Sequence, residues 1–266
     1  HYNEGGDGRT VYFGQMIIVL TQEQKEFRTK LLTFIFSCYQ NKILKNDVYE
    51  FFERHHYSHG REKEKGVLVF DKNLIVSFFI SNFNTDSFRE AYIVKKYLRT
   101  YGWAKIRYRK EVKELLLNKD FALWSSLDRR YERDMPYLQD FQNFTYENYT
   151  DLFQSLDRIS TYTDGNHSCL ETIIGPVSEI ILDLGQRDFK LFIQVLKDLM
   201  KCSFTGRLYF GRIISNLKYN NEKINLLKSV FNNSQNGYIY LMEMFTRVPK
   251  EFLTVADYNY LLNVVE

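Results

Sequence analysis

The sequence predicts a mainly α-helical fold in which helices stack as antiparallel hairpins. Only 3 prolines and 13 glycines occur in 266 residues, fewer than the many turns of an all-β protein would use. Apolar residues recur at three- and four-residue spacing along most of the chain, which is the period of a helix with one buried face. Hydrophobic residues make up 44% of the chain, enough for a sizeable core.

The first predicted helix begins at a capping box, in which Thr21 caps the helix and Gln24 lies three residues further on. Apolar residues then follow at helical spacing, at Phe27, Leu31, Ile35 and Cys38. Because Phe34 and Phe36 make further faces of this helix apolar, we expect the helix to be buried.

The region from residue 47 to residue 83 has a less uniform pattern. Asp47 can cap a short helix that ends among the histidines of RHHYSHG, residues 54–60. The run GVLVF predicts one short β element near 66–70. The apolar pairs after it favour a helix capped by Asp71, and a β-hairpin turning at 71–73 is the alternative.

Four further helices are predicted in the middle of the chain, near 86–101, 105–118, 121–134 and 147–160. Pro136 and the aromatic, polar stretch that follows it mark the internal boundary that the sequence favours. The chain therefore divides into a linker-like polar tail at 1–10, a helical part at 11–135 and a helical-repeat-like part at 136–266. One continuous domain for the last two parts is the alternative.

The C-terminal third has the most regular pattern. Ser168 and Glu171 form a second capping box, the pair at 175–176 (Gly-Pro) breaks the helix that follows, and Gly185 ends its second half. Further helices are predicted to begin near residues 188, 207, 222, 238 and 255. Helix pairs thus recur about every 35 residues, the scale of helical-hairpin repeats. No tetratricopeptide or ankyrin signature accompanies this spacing, so an irregular stack of antiparallel helices is predicted, and a true solenoid is the alternative.

The composition of the chain indicates the cellular setting of the protein more clearly than its function. The net charge is only +3, which does not by itself indicate a nucleic-acid-binding protein. The three cysteines lie far apart, which argues against a disulfide framework and favours a reducing, cytoplasmic setting. No apolar run approaches the length of a membrane span, so no membrane association is predicted. The polar, glycine-rich start suggests a fragment of a larger cytoplasmic protein.

The histidine cluster in RHHYSHG has two chemical interpretations. Residues 55 and 59 are four apart on a helix, a spacing that can hold zinc, but no further ligand cluster stands out and no metal or other cofactor is predicted. The segment also resembles the signature of the HEPN ribonucleases, with Arg54, His55 and His59 at the matching positions. That resemblance implies metal-independent RNA cleavage, in which an imidazole moves protons and the arginine binds phosphate. A solvated helix end is the alternative.

A basic and aromatic segment covers residues 95–113 and contains eight Lys or Arg residues against one glutamate. Cations that bind phosphates and aromatic rings that stack on bases are the means by which single-stranded RNA or DNA is bound. The candidate nucleic-acid-binding residues are Lys95, Lys96, Arg99, Trp103, Lys105, Arg107, Arg109 and Lys113. The charged outer face of amphipathic helices explains the same residues without a ligand.

No phosphate-binding loop, dinucleotide fingerprint or nucleophile elbow occurs in the sequence. The function that the sequence favours is therefore a non-catalytic helical recognition module with a protein partner, because stacked helices present extended binding surfaces. A HEPN-like ribonuclease and a binding protein for single-stranded nucleic acid are the alternatives.

Overall fold

The computed structural model describes residues 2–4, 11–13, 21–59, 67–99, 109–128, 136–164, 166–235 and 237–265. The chain divides into two compact units, an N-terminal unit, His1–Phe121, and a C-terminal unit, Ala122–Glu266. The mainly α-helical fold is confirmed: thirteen α-helices and two short antiparallel β pairs lie in the described residues. The domain division predicted at residue 136 stays a prediction.

The N-terminal unit contains one β pair and five helices, and a sixth helix crosses the division. These elements are β1 (Tyr2–Glu4), β2 (Val11–Phe13), α1 (Gln22–Cys38), α2 (Lys45–His59), α3 (Val67–Asn82), α4 (Phe88–Arg99), α5 (Lys110–Glu114) and α6 (Lys119–Leu127). Strand β1 pairs with β2, with Tyr2 opposite Phe13. Part of the tail that the sequence predicts as linker-like is therefore a strand.

Helix α1 begins at the predicted capping box. The Gln24 backbone N–H donates to the Thr21 hydroxyl at 3.2 Å, and the Thr21 N–H donates to the Gln24 side chain at 2.9 Å. The expectation that α1 is buried all round is wrong, because only Leu32 is fully buried within it, and Phe27 and Phe34 are exposed. The helix packs one face against α2 and α3 and leaves the other open.

Phe52 of α2 lies fully buried at the centre of the aromatic core of the N-terminal unit. Its ring centroid is 5.9 Å from that of Phe36, 5.4 Å from that of Phe78 and 5.0 Å from that of Phe79. Tyr97 of α4 approaches the same ring at 6.0 Å in an edge-to-face arrangement. Such aromatic pairs add to the free energy of burial, so this cluster holds α1 to α4 together.

Helix α3 differs from its prediction. Residues 67–70 form its first turn, so the β element expected near 66–70 is wrong in the part that the structure describes. Asp71 is consequently inside the helix and is neither its cap nor a turn residue. It is fully buried and accepts a hydrogen bond from Arg28 Nε at 2.7 Å. A short, uninterrupted apolar run carries no period that separates a strand from a buried helix, which explains the error.

The helices predicted near 86–101, 105–118 and 121–134 are present but shorter, as α4, α5 and α6. Residues 100–108 and 129–135 lie outside the described part of the chain. Within α5 and just after it, Val112 and Leu115 are buried, as their helical spacing predicts.

The C-terminal unit is built from seven α-helices and one β pair in its described residues. They are α7 (Tyr146–Ser160), β3 (Thr163–Asp164), β4 (His167–Ser168), α8 (Ile174–Arg187), α9 (Phe189–Leu199), α10 (Phe210–Ser215), α11 (Asn221–Asn232), α12 (Gly237–Arg247) and α13 (Val255–Val265). The last five helices begin within three residues of the predicted starts. Helix α8 packs against α9 and α10, α9 against α11, both α10 and α11 against α12, and α12 against α13.

Helix α8 and the turn before it differ from three predictions. Ser168 caps a 3-10 turn, Cys169–Thr172, by accepting from the Leu170 N–H, and Glu171 instead pairs with His167, so the predicted second capping box is absent. Pro176 lies in the first turn of α8, where the missing N–H has no helical acceptor, and the helix continues through it. Gly185 does not end α8 but lies inside it, where an added Cβ would come within 2.7 Å of Leu217.

Candidate functional site

Helix α2 carries the three candidate ribonuclease residues on its last two turns. Arg54 is 83% exposed, and its Nη2 lies 2.9 Å from a carboxylate oxygen of Glu50, one helical turn earlier. The backbones of His55 and His59 are helical and four residues apart, so they share one face of α2, and their side chains lie outside the described residues. The ion pair with Glu50 balances the charge that Arg54 would offer to a phosphate.

The neighbouring carboxylate of α2 has a different role from Arg54. Arg89 of α4 donates from Nε and Nη2 to the two oxygens of Glu53, at 2.9 and 3.2 Å. The same guanidinium lies over the ring of Tyr49, 4.7 Å from its centroid. Glu53 therefore fixes α2 against α4, and it is engaged in this structural contact.

The basic segment 95–113 is divided between the core and the surface. Lys96 is only 7% exposed, and its ammonium lies 4.9 Å from the centre of the Tyr92 ring. Lys95 is half-buried on the same helix, and Arg99 is the last residue of α4. Such partial burial leaves fewer cations for a ligand than the sequence alone predicts.

The rest of the basic segment lies at α5 or outside the described chain. Arg109 precedes α5, and its Nη2 lies 3.6 Å from a carboxylate oxygen of Glu111. Lys113 is exposed on the last turn of α5. The remaining candidates, Trp103, Lys105 and Arg107, lie outside the described residues. A nucleic-acid-binding role for the segment stays a prediction.

The most concentrated polar cluster of the N-terminal unit surrounds Glu90, which sequence analysis did not single out. Glu90 is 1% exposed. It accepts hydrogen bonds from the Tyr39 hydroxyl at 2.7 Å, from the Tyr49 hydroxyl and from the Asn84 N–H, and Lys45 Nζ lies 3.6 Å away. Groups from the α1–α2 connection (Tyr39), from α2 (Lys45 and Tyr49) and from the α3–α4 connection (Asn84) thus converge on one carboxylate.

The chemistry of this Glu90 cluster is structural. Burial, and then the hydrogen bond to Glu90, raise the pKa of Tyr39 and the pKa of Tyr49. Both hydroxyls therefore keep their protons and act as donors at neutral pH. The Lys45 ammonium covers the Tyr39 ring at 4.4 Å. A buried carboxylate whose oxygens accept several hydrogen bonds is typical of a packing network rather than of a proton-transfer site.

Among the described residues, no three His, Cys, Asp or Glu side chains come together as a group that could hold a metal ion. Two of the buried acids, Asp71 and Glu90, instead accept hydrogen bonds from an arginine and from tyrosines. These hydrogen bonds satisfy the two buried carboxylates.

The last two helices present an apolar surface, which we call the α12–α13 face. Seven large apolar side chains of these helices are exposed: Tyr238, Ile239, Met242, Val255, Tyr258, Tyr260 and Leu262. The most exposed is Val255, at 77%. The sequence of α13, VADYNYLLNVV, carries one charged residue, Asp257. A helix that is apolar on most of its sides is normally buried, so the α12–α13 face is the strongest candidate for a binding surface in the described chain.

A polar contact anchors α13 to the helices beneath it. Asp257 forms an ion pair with Lys228 of α11, and both side chains are largely buried. The same carboxylate caps the start of α13 by accepting from the Thr254 N–H at 2.7 Å and from the Thr254 hydroxyl at 2.8 Å. Burial alone would raise the pKa of Asp257, but the donors Lys228 and Thr254 outweigh it and hold the pKa below its usual value.

The attachment of α13 is therefore expected to weaken in acid. Because the pKa of Asp257 is lower in the folded chain than in the unfolded chain, its contribution is complete near neutral pH and is lost as pH falls through the folded value. Hydrogen exchange of residues 255–265, corrected for the intrinsic rate, should rise between about pH 4 and pH 2. Asp257→Asn should raise exchange already at pH 7, whereas Glu251→Gln, at an exposed carboxylate nearby, should not. Equal protection in both variants would contradict this anchoring role.

No helix in the described parts of the chain combines the length and apolarity that crossing a bilayer requires. Comparison with known proteins finds no matching family model, no matching curated protein and no matching solved structure. The functional argument consequently depends on the chain's own surfaces.

Proposed function

We propose that the chain is a non-catalytic helical interaction module, and that it binds a protein partner through the α12–α13 face. The observation that carries the proposal is the exposure of large apolar side chains on both helices at the end of the helical stack. Each square ångström of such surface removed from water contributes about 25 cal/mol, so a partner that covers it gains a substantial free energy.

The composition of the α12–α13 face favours a protein over a nucleic acid. Tyrosine and methionine are enriched in protein–protein interfaces, and Tyr238, Tyr258 and Met242 are exposed here. Helix α13 carries no lysine or arginine. On α12, the Nη2 of Arg247 lies 3.7 Å from a carboxylate oxygen of Glu243, and this ion pair balances the charge of Arg247. A surface without unbalanced cations lacks the electrostatic attraction on which nucleic-acid binding depends.

The three cysteines support a cytoplasmic setting for this module. Cys38, Cys169 and Cys202 are all free thiols. Free thiols persist in the reducing environment of the cytoplasm, whereas secreted proteins of this size commonly pair them.

The proposal is tested by two matched substitutions, Leu262→Glu and Leu117→Glu. Both leucines are exposed, at 64% and 71%, and only Leu262 lies on the α12–α13 face. Proteins cross-linked to the wild-type chain in its source cells are identified by mass spectrometry, and each is then quantified with the two variants. A partner that is retained by Leu117→Glu and lost from Leu262→Glu supports the proposal. Equal recovery with both variants contradicts it, provided that circular dichroism shows both to be folded.

The two alternative functions are tested with labelled single-stranded RNA in the presence of EDTA. Cleavage that is lost in His59→Ala would replace the non-catalytic proposal with the HEPN-like ribonuclease. Binding without cleavage, with an affinity that falls steeply as salt rises, would indicate nucleic-acid recognition through residues 95–113. Intact RNA and no salt-dependent binding agree with the module that we propose.

A further inference from the structure

Helices α7 to α13 of the C-terminal unit pack in two rows. Helices α8, α10 and α12 contact one another in turn and form the first row, and α7, α9 and α11 form the second. Helix α13 extends the second row, because its Asp257 forms an ion pair with Lys228 of α11. Successive helical pairs therefore stack on one another: α8–α9, then α10–α11, then α12–α13. Each of the first two pairs is covered on one side by the pair that follows it.

Side-chain contacts in the first row show how an internal helix is covered on two sides. Arg212 of α10 donates from Nε to a carboxylate oxygen of Glu179 in α8, at 2.7 Å. Phe210 of α10 contacts α12 instead, with its ring centroid 4.6 Å from that of Tyr240. Positions 210 and 212 point to opposite sides of a helix, which turns by about 100° per residue. Helix α10 thus contacts the preceding helix with one side and the following helix with the other.

Helix α12 has such a contact with the preceding helix on one side only. Tyr240 packs on α10, and the side chains of Glu243 and Arg247 lie over the backbone of α10. Tyr238 and Met242 lie about one turn apart on nearly the opposite side of α12, and each is 44% exposed. The side of α12 on which a following helix of the first row would pack is therefore apolar and exposed.

Helix α13 has the same asymmetry in the second row. Its Asp257 faces α11, and its Tyr258 faces α12. Val255 and Leu262 lie about two turns apart on the side of α13 away from Asp257, and both are well exposed. The residues on the uncovered side of the last pair, which we call the stacking side, are Tyr238, Met242, Val255 and Leu262.

The two ends of the second row differ in their exposed residues. On α7, the first helix of the row, every exposed residue except Tyr146 is polar or charged: Glu147, Asn148, Asp151, Gln154 and Arg158. On the described part of α13, none of the exposed residues is charged: Val255, Ala256, Tyr258, Asn259, Tyr260 and Leu262. A terminal repeat that ends a helical stack has a polar outer face. Helix α7 has such a face, whereas α13 has the surface of an internal helix.

From the two rows and the apolar stacking side, we infer that the partner at the α12–α13 face supplies a helical pair that continues both rows. One of its helices packs on Tyr238 and Met242, and the other packs on Val255 and Leu262. This interface continues the one that α12–α13 form with α10–α11. Because the stacking side has no charged residue, the facing side of the partner's helices is apolar, since a charge buried there would be unpaired. The inference rests on the proposed function, because it specifies the structure of the partner at the same face.

The side of α12 that the partner covers is tested by Met242→Glu and Ile239→Glu. The two residues are similarly exposed, at 44% and 48%, and only Met242 belongs to the stacking side. The protein retained by the wild-type chain and lost from Leu262→Glu is purified and titrated against each full-length variant. Met242→Glu should weaken binding at least about tenfold, the effect of 1.4 kcal/mol, and Ile239→Glu should change it by no more than about twofold. Equal weakening by both variants would overturn the inference.

The number of partner helices is tested by photo-cross-linking of the same purified protein. Benzoylphenylalanine replaces Met242 in one full-length variant and Val255 in another, and the peptides that react are identified by mass spectrometry. Two peptides from neighbouring helices of one partner chain, one for each position, support the inference. A single peptide that reacts at both positions would indicate one helix or one extended segment lying across both rows, and would overturn it. Cross-links to a second copy of this chain would show self-association and would also overturn it.

Failure of this inference and failure of the proposed function give different results. If no protein depends on Leu262, the proposed function fails and the inference fails with it. If a partner depends on Leu262 but reacts as a single segment, or is weakened equally by Ile239→Glu, the proposed function stands and the helical pair is excluded. Hydrogen exchange of residues 237–265 is compared in all variants, so that loss of binding is assigned to the surface only where α12 and α13 remain protected.

Discussion

Replacing Glu90 with alanine is expected to lower the free energy of unfolding of the N-terminal unit by about 3–5 kcal/mol, the cost of breaking a buried charged network. The substitution removes the acceptor of the Tyr39 and Tyr49 hydroxyls and of the Asn84 N–H. Each buried donor that loses its partner costs about 1–3 kcal/mol, and the cavity adds to this loss. We expect the α1, α2 and α4 helices to lose protection together, because Glu90 connects them.

The measurement is urea unfolding followed by hydrogen exchange, which reports the N-terminal unit separately from the rest of the chain. Glu26→Ala is the matched control: Glu26 is an exposed carboxylate that accepts one hydrogen bond, from Gln22 at 3.0 Å. Its loss should change the free energy of unfolding by no more than about 0.5 kcal/mol. Tyr49→Phe removes one of the donors and should fall between the two, at about 1.5–3 kcal/mol for a hydrogen bond to a charged group. Similar losses for Glu90→Ala and Glu26→Ala would contradict the structural role of the cluster.

Local signals explain how much of the fold the sequence predicts. The capping box at Thr21 and Gln24 depends on residues three apart, and it forms as predicted. The starts of α9 to α13 follow from apolar spacing within single helices. Where the decisive contact lies within about one helical turn, the sequence therefore predicts the structure.

Two buried carboxylates show why the rest of the fold could not be predicted from the sequence. Glu90 occupies a position in α4 that a helical period treats as polar, and the tyrosine that buries it, Tyr39, lies 51 residues earlier. Asp71 precedes an apolar run, the pattern of a cap, but its partner Arg28 is 43 residues away. Whether a carboxylate caps a helix or lies in the core depends on such distant partners, which periodicity does not reveal.

Prediction of the candidate functional residues was limited in the same way, because the sequence does not show which side chains pack on them. The sequence indicates the composition of segment 95–113 but not that the Lys96 side chain packs on Tyr92 inside the fold. Likewise, apolar residues at 27, 31 and 34 predict a buried helix face, but all three side chains are exposed. Apolar spacing within one helix does not separate these cases, because it does not show which side the neighbouring helices cover.

Replacing Gly237 with alanine is expected to destabilise the end of the C-terminal unit by about 3 kcal/mol, at the upper end of the cost of overpacking. A Cβ at this position would lie 1.7 Å from the backbone carbonyl oxygen of Phe231. Because the obstacle is backbone, a side-chain rotation cannot relieve it, and the start of α12 has to move. Helix α12 packs on α10 and α11, and α13 packs on α12, so the displacement extends to both terminal helices.

Gly206→Ala is the matched control, since a Cβ at Gly206 meets nothing within 4 Å. Its free energy of unfolding should stay within about 0.5 kcal/mol of the wild-type value. Hydrogen exchange of residues 237–265 should rise in Gly237→Ala and remain unchanged in Gly206→Ala. An equal, small effect of both alanines would show that the α11–α12 connection adapts, and would contradict the close approach at Gly237.

The same glycine substitution distinguishes the loss of a binding surface from the loss of its support. Gly237→Ala should reduce partner binding together with protection of α12 and α13, because the α12–α13 face exists only while both helices are docked. Leu262→Glu should reduce binding with that protection intact, because Leu262 is 64% exposed. If both variants keep the partner, the partner binds elsewhere on the chain. If only Gly237→Ala loses it, the terminal helices support a binding surface that does not include Leu262.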